Sequence, residues 1–187
     1  MGDELDVLLS RRSIGKVKPD PIPRSVVDEL LVAATYAPNH HLTVPWRFVV
    51  LTGAARRAIG EAHAAAVLRL RPDSGSEVIA RESARLERAP VVVVCIVSTD
   101  RDDVVRARED RDAVAAAIQN LLLAAHIKGL AAMWRTGAIV DEPEVAAALG
   151  LTSDDTIVAF VYLGFAAIAP PDHPRPPIEA VVEWREG

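Results

Sequence analysis

Apolar positions along the chain change period repeatedly, and each change marks an element. Val27, Leu30, Leu31 and Ala34 recur at helical spacing. They predict a helix that runs to about Tyr36 from the Pro19-Pro21-Pro23 stretch, with Pro23 in its first turn, where a missing N–H costs nothing. Ala37-Pro38-Asn39 ends the pattern before a polar loop over 39–45. Residues 46–51 are rich in β-formers and predict a strand, and Thr52-Gly53 turns into an amphipathic helix over 54–70. A charged helix is expected over 77–88. The run 91–97 is apolar on both faces, which predicts a central strand. From about Val105 to Lys128, Val114, Ile118, Leu121, Leu122 and Ala125 repeat at helical offsets, and only Gln119 and Asn120 interrupt the Ala/Leu surface between Ala113 and Ala125. That helix is expected to be buried nearly all round. Gly129 ends it, and strands follow over 131–135 and 156–163, separated by a short helix that an Asp141 to Glu144 capping box opens and Gly150 closes. A further short helix at the start carries Leu5, Leu8 and Leu9 on one face. The proline-rich tail from Ala169 to Pro177 forms neither helix nor interior strand, yet Ile178, Val181, Val182 and Trp184 are too apolar to dangle, so the tail must dock on something.

Helices alternating irregularly with four or five strands predict an α+β sandwich in a single domain over 1–187, with no internal repeat and no linker. Half the residues are hydrophobic and a quarter charged, which is the composition of a folded globular protein. A net charge of -5 and only eight aromatics make a poor attractor for nucleic acid. The apolar runs are too short for membrane helices. One cysteine, Cys95, precludes an intrachain disulfide, and the opening MGDELDVLLS has no basic segment followed by a long apolar one, so the expected compartment is the cytoplasm. Eighteen Arg against three Lys is a compositional bias that makes chance Arg pairs common.

Several chemistries lack their motifs. No two glycines lie two apart, which removes G-x-G-x-x-G, and neither a Walker A loop, nor G-x-S-x-G, nor H-E-x-x-H is present. His63, His126 and His173 stand alone in sequence and are expected to be structural or superficial, with no metal ligands among them. Cys95 lies inside a strand run as inert packing, and the mixed-charge stretch 100–112 is expected to be a solvated loop and helix start.

Three segments remain. Arg11-Arg12-Ser13 offers two guanidiniums and a hydroxyl that can grip a phosphomonoester, although for the tripeptide alone a solvated turn is the plainer reading. The loop from Ala37 to Trp46 is held between Pro38 and Pro45 and carries His40, His41 and Val44; it is either functional or a plain helix-to-strand connection. Trp134-Arg135-Thr136-Gly137 is a strand end whose backbone N–H groups can face a ligand; a buried Trp beside a surface Arg is the plainer reading.

The order R-R-S, K-P-D-P-I-P, A-P-N-H-H-L-T-V-P-W-R-F-V-V-L-T-G, A-x-x-x-Q-N-L-L-L-A-A-x-x-x-G-L and W-R-T-G resembles the FMN-dependent nitroreductase family across nearly the whole chain, most of all its small YdjA-type members. That resemblance implies a central mixed or antiparallel sheet of four to five strands flanked by helices, in an intertwined homodimer whose C-terminal tail is exchanged onto the partner. It implies tightly bound FMN at the subunit interface, NADH or NADPH as reductant, and small nitroaromatic, quinone or related acceptors reduced by a ping-pong mechanism. Other acceptor chemistry on the same fold (dehalogenation, activated alkenes) and a non-catalytic flavin-binding dimer are the alternatives. On the resemblance, Arg11, Arg12 and Ser13 hold the phosphate and ribityl chain, and Arg175 adds a phosphate contact. Thr136 and Gly137 present N–H groups near flavin N5, Trp134 and Arg135 shape the pocket wall, and His40 and Val44 come from the partner subunit. No side chain is singled out as a catalytic acid or base. Two departures stand out: Gly15 replaces a basic residue of several relatives, and Val44 a polar one.

Overall fold

A computed structural model describes residues 5–187; the first four residues of the expected domain lie outside the described ones. Four strands, β1 (Trp46–Leu51), β2 (Val91–Ser98), β3 (Ala131–Arg135) and β4 (Asp155–Gly164), form one sheet in the order β1-β2-β4-β3, antiparallel throughout. The sheet belongs to the α+β class. β2 is central and buried from Val91 to Val97, as its two-sided apolar run requires.

Alternate positions of each strand feed two cores. Val91, Val93, Cys95 and Val97 face α2 (Arg24–Thr35) and α5 (Val104–Ile127). Val92, Val94 and Ile96 face the opposite layer, built from α3 (Ala54–Leu70), α4 (Ser76–Ser83), α6 (Pro143–Ala148) and a 3-10 turn over Arg85–Arg88. A bulge between Cys95 and Ile96 shifts the register, so Val158 and Ala159 both face α5 while Ile157 and Phe160 face the other layer.

α5 begins where the Asp103 side chain accepts the Arg106 N–H. It ends at Gly129, in the left-handed region at φ 73°, where Leu130 N–H reaches back to the Ala125 carbonyl at 2.8 Å. Its second half is buried on most sides within this one chain: Ala113, Val114, Ala117, Ile118, Leu121, Leu122 and Ala125 are all in the core.

Three expectations are corrected. The charged helix stops at Ser83 and continues as the 3-10 turn, because Leu86 must turn inward to full burial. No side-chain capping bond opens α6; the Glu142 carboxylate instead accepts from Arg69 of α3 at 3.1 Å. Asp110, within the stretch expected to be solvated, is 2% exposed. The short first helix forms as α1 (Asp6–Ser10), and the side chains of Leu5, Leu8 and Leu9 are exposed.

Between α3 and α4 the packing is intimate. A methyl group on Gly60 would lie 2.0 Å from the Ser83 carbonyl oxygen. One turn on, the buried His63 ring places Nε2 3.5 Å from the Glu82 carboxylate, which also accepts from Arg85 at 2.9 Å, and His63 Nδ1 has no hydrogen-bond partner. Burial pushes this imidazole below its ordinary value of 6.5; Arg85 adds to the shift and Glu82 opposes it.

Candidate functional site

The segment after α1 lies along the free edge of β3. Ser13 bridges Ala132 in parallel sense, Ile14 N–H donates to the Ala132 carbonyl at 3.1 Å, and Val17 bridges Ala166 beyond the end of β4. The path brings Gly15 close to β3: a methyl group there would sit 2.6 Å from Met133 Sδ and 3.6 Å from an Arg135 guanidinium nitrogen, both at the ends of flexible side chains. Gly164 lies beneath Val17, whose Cβ a methyl group would approach to 2.6 Å. The Arg11-Arg12-Ser13 arm is thus joined at Ala132 to β3, the strand that runs on into Trp134 to Gly137.

Within this group the two arginines differ. Arg12 Nη1 donates to the carbonyls of Leu9, at 2.6 Å, and Arg11, at 3.1 Å, so its guanidinium braces the arm. The Arg11 side chain makes no hydrogen bond or ion pair among the described residues and is half-buried, and the Ser13 hydroxyl is exposed. His126, in the last turn of α5, sits 2.9 Å from Ser10 Oγ. That hydroxyl already donates to the Asp6 carbonyl, so His126 Nε2–H is the donor and ties α1 to α5. Strand alternation sends Trp134 and Arg135 to opposite faces: Trp134 packs on the α2/α5 core, and Arg135 lies over the Tyr162 ring at 6.0 Å. Thr136 and Gly137 follow as exposed backbone, with Gly137 at φ 106°.

The third segment is on the other edge of the sheet, ahead of β1. Residues His40–Leu42 form a 3-10 turn, and His41, Leu42 and Val44 all have positive φ, of 61°, 54° and 50°. Side chains hold this uncommon backbone. Asn39 donates to the His40 carbonyl and to Thr43 Oγ1, and accepts from Val44 N–H at 2.7 Å. Thr43 Oγ1 in turn donates to the buried Asp110 carboxylate at 2.5 Å, while Thr99 holds its other oxygen at 2.7 Å. His40 and Val44 are left exposed. Sequence reading missed Asp110 and Asn39; the polar residues framing the positive-φ run were the available signal.

β1 and β3 are the two edges of the sheet and the Arg11 arm lies one step beyond β3, so four strand spacings, roughly 19 Å, separate the His40 loop from the Arg11 group. One chain does not bring them together. Arg175 makes no hydrogen bond or ion pair among the described residues; it lies in an exposed tail whose Trp184 is 84% exposed. A cleft of about 650 Å³ opens elsewhere, between Pro19, Pro21, Arg24, Val50 and Arg56, and contains none of the predicted site residues. No described helix is long and apolar enough to cross a membrane.

The sequence model of the nitroreductase family matches residues 8–165. The chain is 35% identical over 175 residues to the Bacillus subtilis protein "Putative NAD(P)H nitroreductase YfhC", covering 92% of this chain and 89% of the relative. It is 31% identical over 168 residues to the Escherichia coli K12 protein "Putative NAD(P)H nitroreductase YdjA", covering 87% of each. Among solved structures, a "putative nitroreductase in complex with fmn" from Desulfovibrio desulfuricans superimposes with a TM-score of 0.76 at 26% identity, over the full length of both chains.

Proposed function

The chain belongs to the nitroreductase family, and from that premise we propose that it works in the cytoplasm as an FMN-dependent homodimer that oxidises NAD(P)H and reduces nitroaromatic, quinone or related small acceptors by a ping-pong mechanism. The observation that carries this reading is the split of the predicted site across the two sheet edges. A second copy that laid its His40 loop against the first copy's Arg11 group would complete a site that neither chain holds alone.

The residues present suit a flavin mononucleotide. Arg11 offers an unpartnered guanidinium, and Ser13 offers an exposed hydroxyl beside it, a donor set for a phosphomonoester. Arg12 spends its own donors on the Leu9 and Arg11 carbonyls, which fixes the arm in advance of binding. Thr136 and Gly137 present backbone at the end of β3, where N–H groups can meet the edge of a planar ring. Trp134 backs that strand end from the core side, and Arg175 would join the phosphate contacts through the exposed tail. Bound flavin supplies the hydride chemistry. His40 and Val44, exposed on a loop held by Asn39 and Asp110, are placed to cover the flavin of the partner subunit and to limit which acceptors reach it. No Rossmann fingerprint is present to grip the nicotinamide nucleotide, so both substrates are read at one shared surface and must take turns on it.

The test is the visible spectrum of the purified protein and its bleaching by NADPH without oxygen, followed by steady-state kinetics. A yellow protein that bleaches and gives parallel double-reciprocal lines supports the reading. A protein that takes up no FMN overturns it, and intersecting lines overturn the shared surface.

A further inference from the structure

Side chains of adjacent residues diverge in regular structure, by about 100° in a helix and 180° in a strand. His40 and His41 do not. The left-handed backbone of His41, φ 61° and ψ 2°, folds the chain so that the two imidazole rings lie 3.8 Å apart, centroid to centroid. Facing them is Glu109 of α5, remote in sequence, with a carboxylate oxygen 3.8 Å from His41 Nε2. One ligand atom from each of His40, His41 and Glu109 lies within 4.8 Å of the other two. Bonds of about 2.0–2.1 Å to a tetrahedral metal place ligand atoms roughly 3.4 Å apart, so small side-chain rotations close the gap.

We propose that His40, His41 and Glu109 form a binding site for a divalent transition metal of the zinc class. Two imidazole nitrogens and one carboxylate oxygen are a donor set for Zn²⁺, Co²⁺ or Ni²⁺ rather than for Mg²⁺ or Ca²⁺, which take oxygen ligands. The site is built in advance. Asp110, next to Glu109, anchors Thr43, and Asn39 clasps the His40 carbonyl and Val44 N–H, so the loop bearing both histidines is fixed to the helix turn bearing the carboxylate. Both rings are exposed on their own subunit, so no other side chain of that chain blocks the approach of an ion. His173 and His126 lie outside this group, and His63 is buried between helices.

The site has a consequence that rests on the function proposed above. His40 is the residue placed toward the partner's flavin, and a metal that recruits its imidazole turns it toward Glu109. Metal occupancy then slows turnover.

Calorimetric titration of Zn²⁺ alone into the chelator-treated flavoprotein tests the site, with His41→Ala and Glu109→Gln as variants. Neither residue belongs to the flavin contacts, so both variants are expected to keep their FMN content and zinc-free turnover. The expected result is one zinc per chain in the wild type, with affinity reduced by a factor on the order of ten or more in each variant. Co²⁺ absorption bands of a nitrogen-and-oxygen site, absent in both variants, give an independent readout. Equal zinc affinity in wild type and variants overturns the site. Zinc that binds as expected without slowing the wild type overturns the coupling to His40. Zinc binding retained in a protein that takes no FMN leaves the metal site standing and removes the flavin reading instead.

Discussion

The Thr43 hydroxyl donates to the Asp110 carboxylate at 2.5 Å, across 67 residues of sequence, and it is the link that fastens the His40 loop to α5. Asp110 is 2% exposed and satisfied on both oxygens by hydroxyls, Thr43 on one and Thr99 on the other. Hydrogen bonds to a charged group contribute about 1.5–3 kcal/mol. Asp110→Ala removes two of them and strands both hydroxyls, so a loss of that order is expected in urea unfolding. FMN affinity should fall with it, since the loop holding His40 and Val44 loses its anchor. An unchanged unfolding midpoint counts against the anchor.

Arg11 and Arg12 separate by what each already holds. Arg11→Ala should weaken FMN binding by about 1.5–3 kcal/mol, the contribution of one charge-assisted phosphate bond, and leave riboflavin binding unchanged. Arg12→Ala should weaken both, because Arg12 braces the arm through the Leu9 and Arg11 carbonyls. Fluorescence titration with the two flavins reads the difference. Equal losses of FMN and riboflavin in Arg11→Ala would sink the phosphate role of that residue.

Much of the fold is legible in the sequence because burial writes itself as periodicity. β1 and β3 match their expected bounds, and α5, α3 and α2 fall within a residue or two of theirs. The failures occur where a tertiary contact overrides a local pattern. Asp110 reads as one more charge in a charged stretch, since nothing nearby in sequence announces Thr43 or Thr99 as its partners. Glu144 has capping-box spacing to Asp141 but is claimed by Arg69, from a helix some seventy residues earlier. The close approach of the N-terminal arm to the sheet rests in part on Gly164, where a side chain would meet Val17 Cβ, a need that is invisible without the folded partner segment. Glu109 completes the histidine pair from a helix that the loop reaches only in the folded chain.

Gly60 is a position of that kind. In sequence it is a helix-weakening glycine, and in the structure it is where α3 touches α4. Gly60→Ala improves intrinsic helix propensity by about 1 kcal/mol, yet the new methyl group meets the Ser83 carbonyl oxygen, a backbone atom that can move only with its helix. Overpacking of this sort costs about 1–3 kcal/mol. The net expectation is a lower melting temperature, and a raised one would show that α4 yields freely.

Stability should fall as the pH is lowered from about 7.5 toward 5. Burial holds the His63 imidazole below 6.5, with Arg85 assisting. The unfolded chain therefore takes up a proton that the folded chain refuses; the contribution is complete above about 6.5 and is lost below it. Glu82 acts lower on the scale. Desolvation raises its carboxyl, but hydrogen bonds from Arg85 and Arg81 outweigh that and leave it below 4.5, so its contribution disappears only in stronger acid. His63→Gln should flatten the slope above pH 5, as read from urea unfolding across the range, and should leave the steeper acid limb in place. A slope unchanged in the variant assigns the proton to another group.

The C-terminal tail supplies the sharpest test of assembly. Phe165 and Ala167 belong to the folded body, since Lys18 N–H donates to the Phe165 carbonyl at 2.8 Å and Ala167 N–H to the Lys16 carbonyl at 3.0 Å. Beyond them Ile178, Val181 and Trp184 are 62%, 67% and 84% exposed, at the end of a segment whose prolines bar it from helix. Leu5, Leu8 and Leu9 of the first helical segment are uncovered as well. Exposed apolar side chains in such number ask for a second surface, and a second copy of the chain would also complete the site proposed above. Removing residues 169–187 should therefore leave the sheet folded by circular dichroism but shift sedimentation from dimer toward monomer, with loss of FMN and with aggregation at high concentration. Trp184 fluorescence in the intact protein should red-shift on dilution below the dimer dissociation constant, as the indole passes from the partner's surface to water. A flavin-loaded truncated dimer would mean that the tail lies free and that the interface is carried by α5 and the His40 loop alone.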